Sequence, residues 1–135
     1  MKVFRPEPES SDVLKAIAIE PEVTVSALAE LEVVVQLKAE FLAGNLSRPG
    51  WRQLEARFSI LRHQAPYEFR PLPASLFRTA LRQHRNSGDV HCRSIDRLHL
   101  AAMEELGLKR LMTHDSRQAN AAAEGGFEVV LPGRA

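Results

Sequence analysis

The sequence predicts a three-layer α/β/α domain with a central parallel sheet, and three observations carry that prediction. Short apolar runs near residues 23–25, 67–72, 110–113 and 127–131 are separated by stretches with helical periodicity. Connections that long imply parallel pairing through crossovers, because antiparallel neighbours need only a tight turn. Acidic residues follow the strand-like runs, and in parallel sheets ligand sites lie outside the carboxyl ends of the strands.

Each element has a local signature. Ser10 or Ser11 can cap a helix over Asp12 to about Ile19, and a strand covers Val23 to Val25. Ser26 starts a long helix that Gly44 and Asn45 close. "SRPG", residues 47 to 50, opens a helix running to about His63, and "YEFRPL", residues 67 to 72, reads as a strand. Pro73 to Arg85 is helical until "NSGD" breaks it. The next helix carries Asp96 and ends at Gly107, before a strand from Arg110 to Thr113. Ser116 to Glu124 forms the last helix, "GG" stops it, and "FEVVLPG" supplies the last strand.

A chain of 135 residues reads as a single domain, 1–135, large enough for its own core. Its single cysteine, Cys92, excludes an internal disulfide and a Cys-based zinc site. No apolar run is long enough for a membrane span and "MKVFRPEPES" has no apolar signal core, so the expectation is a soluble cytoplasmic protein with no membrane partner. Charge is uneven: residues 48–97 hold ten arginines against four acids, whereas residues 1–47 hold four basic and eight acidic side chains. The arginine-rich middle reads either as a phosphate-docking region or as a solvated helix face.

Asp96 is the first candidate residue. On a helical wheel it falls in the apolar arc of Leu100, Met103 and Leu106, with Arg97, Glu104 and Glu105 on the polar side. An inward carboxylate needs a hydrogen bond or a cation, since an uncompensated buried charge is too costly to keep. The rival reading makes Ser94 the cap and Asp96 a favourable charge at the helix head, worth roughly 0.3 to 1 kcal/mol. Asp115 is the second candidate, with N-capping of the last helix as its rival role. In the helix after Val25, Glu30 and Glu32 each touch an apolar arc; Glu32 borders the larger one, of Leu28, Leu31, Val35, Ala39 and Leu42. Thr113, two before Asp115, is placed to orient a carboxylate or a water. His99 and Cys92 read as packing residues, and His114 as exposed. Carboxylates converging without lysines suit a hard divalent cation such as Mg²⁺, which can activate a water and screen a phosphodiester.

These residues resemble a known family. "RSIDRLHLAA" resembles the helix that carries the third acid of PIN-domain ribonuclease toxins of the VapC type, the bacterial toxin-antitoxin nucleases, and maps that acid to Asp96. "LMTHD" resembles the strand end with the fourth acid, Asp115, and its hydroxyl neighbour Thr113. "VTVSALAELE" is similar to the family's strand, Ser and helix with a Glu six positions on, which selects Glu32 over Glu30. "FEVVLPG" is similar to the closing strand. The resemblance departs at the N-terminus, where the segment resembling "KVFRPEPES" begins at Lys2 and the family's first strand, with its first Asp, is missing. The expectation is a PIN-like domain whose natural start lies upstream of Met1, with a truncated copy as the alternative.

The resemblance implies a toxin that is an endoribonuclease dependent on Mg²⁺ or Mn²⁺, cleaving structured RNA such as tRNA or rRNA by metal-activated water. Asp96, Asp115 and Glu32 would be the catalytic and metal-binding acids, with Thr113 in support. A cognate antitoxin and homodimerisation are the implied partners. The alternative is a PIN-like scaffold that binds an antitoxin or RNA without cutting. A phosphatase or receiver domain is disfavoured by the lack of a closely spaced pair of strand-end aspartates.

Overall fold

The structure, a computed structural model, describes residues 22–113 and 115–131. The predicted helix at Asp12 to Ile19, the "KVFRPEPES" segment, His114 and the end of "FEVVLPG" lie outside them. The described elements are β1 (Val23–Ser26), α1 (Ala27–Leu42), α2 (Arg48–Ile60), a 3-10 turn (Leu61–His63), β2 (Tyr67–Arg70), α3 (Leu76–Arg85), α4 (Ser94–Glu105), β3 (Arg110–Met112), α5 (Ser116–Glu124) and β4 (Glu128–Val130). They fall into two compact units that divide between Pro71 and Leu72.

In the first unit β1 and β2 pair in parallel, with Val25 opposite Phe69. Strand β2 ends at Arg70, short of the expected residue 72, because Pro71 has no N–H to continue a ladder. Ser26 leaves the strand with extended backbone and accepts from Ala29 N at 3.1 Å, capping α1 as predicted. Ser47 caps α2 in the same way through Gly50 N at 3.0 Å. Val25, Val33, Leu37, Leu54 and Phe58 form the core of the unit. Helix α1 therefore buries the arc of Val33 and Leu37, while Leu31, Val35 and Leu42 of the larger arc are exposed. The wheel showed two apolar arcs, and packing against α2 and β1 selects the smaller.

In the second unit β3 and β4 pair in parallel, with Leu111 opposite Val129 and Thr113 N continuing the ladder to Val130 O at 3.1 Å. The described strands thus make two two-stranded parallel sheets, the pairing direction that the long connections predicted. Helices α4 and α5 each end in the same hydrogen-bonded turn, closed by Leu108 N to Met103 O at 2.8 Å and by Phe127 N to Ala122 O at 2.9 Å. Both turns require a left-handed residue, supplied by Gly107 (φ 70°) and Gly126 (φ 88°), which turn the chain into β3 and β4.

Leu100, Met103, Ala121 and Ala122 form one buried cluster with Cys92, and Leu76, Ala80, Ala101 and Ala102 form another. Cys92 is a small buried side chain, as read from the sequence. The small residues let α3 lie close to α4, and this closeness overturns one expectation. Arg97, placed on the polar face by the wheel, is only 6% exposed. A wheel reports periodicity within one helix; here a second polar helix face covers the first. Thr79 donates to Glu105 at 2.6 Å, Gln83 donates to Leu100 O and to Glu104 at 3.2 Å each, and Arg82 pairs with Glu104.

Candidate functional site

Asp96 stands in the first turn of α4, where the N-terminal dipole favours a negative charge. The N-cap is Arg93, which makes no side-chain cap, and Ser94 is already inside the helix, so the Ser94 cap of the rival reading is not formed. Asp96 is 7% exposed, on the inward face that the periodicity indicated. Its Oδ2 accepts from Arg93 Nε at 3.3 Å. A buried carboxylate thus has a cation beside it, as the cost of an unpaired buried charge demands.

Asp115 lies just beyond β3 with extended backbone and divides its two oxygens between two tasks. Oδ1 accepts from Arg117 N at 2.9 Å and Gln118 N at 3.4 Å, capping α5. Oδ2 lies 3.8 Å from Nη2 of Arg93. One carboxylate therefore caps α5 with one oxygen and keeps the other beside the Arg93 guanidinium. Thr113, 9% exposed, accepts from Asp115 N at 3.0 Å and donates to Gln118 Oε1 at 2.9 Å, which fixes the backbone that carries Asp115.

One guanidinium therefore bridges Asp96 and Asp115, nineteen positions apart in the chain. Sequence reasoning brought the acids together and overlooked Arg93, although an arginine three residues before an inward Asp at a helix head was a usable signal. Arg93 itself is largely exposed, with 65% of its side chain accessible, so its ion pairs are screened and worth on the order of 1 kcal/mol.

Glu32 belongs to the first unit, on the exposed side of α1. Its rival Glu30 is bound to Arg62, an ion pair that commits that carboxylate within the unit. His99 is half-buried on α4. The arginine-rich stretch is in part neutralised: Arg62, Arg70, Arg82 and Arg93 each pair with a carboxylate. That outcome favours the structural reading for those four.

Among the described residues no group of three or more His, Cys, Asp or Glu side chains is gathered to hold a metal ion. The pair of hard oxygen donors nonetheless fits a divalent cation, because Mg²⁺ commonly uses one or two carboxylates and keeps its remaining positions for water or phosphate. The place such an ion would take between Asp96 and Asp115 is one to which a positive group, the Arg93 guanidinium, is already drawn.

The family pattern of the PIN domain matches residues 1–124. The chain belongs to the PIN domain family. Its mixture of helices and parallel strands is that of an α/β PIN-like fold. PIN domains are in general metal-dependent nucleases, often toxins, and typically bind Mg²⁺ or Mn²⁺. No curated protein matches this PIN domain. No helix among its described residues is long and apolar enough to cross a membrane.

Proposed function

We propose that this PIN domain is an endoribonuclease of the VapC toxin type, dependent on Mg²⁺ or Mn²⁺ and directed at structured RNA such as tRNA or rRNA. The observation that carries the reading is the juxtaposition of Asp96 and Asp115 about a single cation. Asp96 would hold the metal from its buried place in the first turn of α4. Asp115 would contribute Oδ2, while Oδ1 and the Thr113 hydroxyl keep the carboxylate in place. Glu32, selected by the family pattern, would complete the acid set. The bound metal would supply an activated water and screen the phosphodiester charge. A cytoplasmic setting, a cognate antitoxin that covers the acids, and a homodimer belong to the same proposal, as does a single domain spanning residues 1–135.

The test is Mg²⁺-dependent cleavage of tRNA and rRNA by the protein and by its Asp96→Asn variant, with thermal unfolding followed in parallel. Loss of cutting in a folded variant supports the assignment, and equal rates remove Asp96 from the mechanism. A second reading, a scaffold that binds an antitoxin or RNA without cleaving, is favoured by Arg93 standing at the acid pair. RNA binding with no cleavage at saturating Mg²⁺ or Mn²⁺ would establish it.

A further inference from the structure

Arg93 is the counter-charge of the acid pair, yet its fit to that task is poor. Nε and Nη2 form one edge of a guanidinium, the edge that receives two oxygens of a single carboxylate or phosphate side by side. Here the edge is divided between two groups: Nε reaches Oδ2 of Asp96 at 3.3 Å, and Nη2 lies 3.8 Å from Oδ2 of Asp115. Charge-assisted hydrogen bonds of this kind close to about 2.7 to 2.9 Å when the geometry allows. Neither contact does. The fork is shared by two acids and filled by neither.

Access and charge bear on what else this edge can hold. The Arg93 side chain is 65% accessible, against 10% for that of Asp96, so the guanidinium can turn and be reached while the carboxylate stays in place. No capping bond tethers it to the head of α4. A divalent cation on Asp96 and Asp115 would meet the charge of Arg93 at close range, where like charges repel. An oxyanion set between the two removes that repulsion and fills the fork. Phosphate is the oxyanion that suits both, because Mg²⁺ held by one or two carboxylates commonly completes its shell with phosphate oxygens.

We propose that Arg93 exchanges partners: it neutralises Asp96 and Asp115 in the metal-free protein and, once those acids hold a divalent cation, receives the non-bridging oxygens of a phosphodiester on its Nε and Nη2 edge. Arg93 is then a substrate-binding residue of the site. The inference rests on the metal-binding part of the proposed function and not on cleavage itself.

The experiment follows the Nε–Hε signal of Arg93 by NMR in the ¹⁵N-labelled full chain, assigned through Arg93→Lys, as Mg²⁺ and then dimethyl phosphate are added. The expected result is a shift with Mg²⁺ and a second, saturable shift with dimethyl phosphate that does not occur without Mg²⁺. In parallel, Arg93→Gln should weaken tRNA binding in millimolar Ca²⁺ by about tenfold, the scale of one charge-assisted contact, while it binds Mn²⁺ more tightly than the parent protein. A residue that only supports the fold would not move the two affinities in opposite directions. Arg93→Lys, which keeps the charge and loses the fork, should fall between. The proposal is overturned if Mg²⁺ leaves the Arg93 signal unmoved, or if dimethyl phosphate shifts it equally without Mg²⁺ or not at all with it. Cleavage is scored separately. A parent protein that shows both shifts and does not cut keeps this inference and removes the nuclease reading, and a cutting parent with an unmoved Arg93 signal does the reverse.

Discussion

Arg93 donates from Nε to Oδ2 of Asp96 across 3.3 Å, three residues along the head of α4, and so supplies the positive charge that a 7% exposed carboxylate requires. The same guanidinium occupies the approach to the acid pair. A divalent cation held by these acids, as proposed, would compete with it for the same oxygens.

Replacing Arg93 with Gln should thus shift stability in two directions. Without divalent ions Arg93→Gln is expected to lose about 1 kcal/mol, the worth of a screened pair with one exposed partner. With millimolar Mg²⁺ the variant should recover more stability than the parent protein gains, since ligand binding to the native state stabilises it by mass action. Urea unfolding with and without Mg²⁺ measures both quantities. An identical Mg²⁺ effect in the two proteins would show that Arg93 does not compete with the ion.

The two oxygens of Asp115 can be separated by substitution. Asparagine caps a helix about as well as aspartate, so Asp115→Asn should unfold within about 0.5 kcal/mol of the parent, whereas Asp115→Ala should lose about 1 kcal/mol. Both should lose RNA cleavage, because both remove the charge on Oδ2. Thermal unfolding paired with a cleavage assay reads the split. Activity retained in Asp115→Asn would confine Asp115 to capping.

Leu100 is fully buried at the centre of the cluster formed with Met103, Ala121 and Ala122. Leu100→Ala should cost roughly 2 to 5 kcal/mol, the range for a leucine cavity in a packed core. A loss below 1 kcal/mol in denaturant unfolding would contradict the packing described for α4 and α5.

Hydrogen bonds from Thr79 and Ser75, with the Arg82 charge adding to them, hold the Glu105 carboxyl below its usual range. A carboxyl depressed in the folded state contributes stability above its unfolded pKa and loses it as pH falls through the folded value. Thr79→Val should therefore bring the Glu105 titration closer to the ordinary value and flatten the acid side of the stability profile through the range below that ordinary value of 4.5. Carboxyl NMR titration of Glu105, with urea unfolding across that range, tests it. An unchanged Glu105 titration would remove Thr79 as the cause.

Much of this was legible in the residues. Ser26 and Ser47 announce helix starts that form where expected, and Gly107 marks a turn whose left-handed backbone needs it. The inward position of Asp96 followed from the spacing of Leu100 and Met103, because periodicity is a property of one helix alone. The burial of Arg97 was hidden for the same reason: it depends on α3, another helix whose facing side, with Gln83 against Arg97, is also polar. In α1 the choice between two apolar arcs was equally non-local, settled by Leu54 and Phe58 of α2. The role of Arg93 needed the distance to Asp115, which no local pattern contains.

Helix α4 lies between two kinds of neighbour, with Leu100 and Met103 in an apolar cluster and Glu104 and Glu105 joined to α3 by ions and hydrogen bonds. Dissolved electrolytes act on these sides with opposite sign. Salt of either kind screens Arg82 from Glu104, and sulfate, excluded from protein surfaces, in addition strengthens the burial of Leu100. The identity of the salt in a buffer, and not its concentration alone, therefore decides whether the apolar side of α4 tightens while its ionic side loosens.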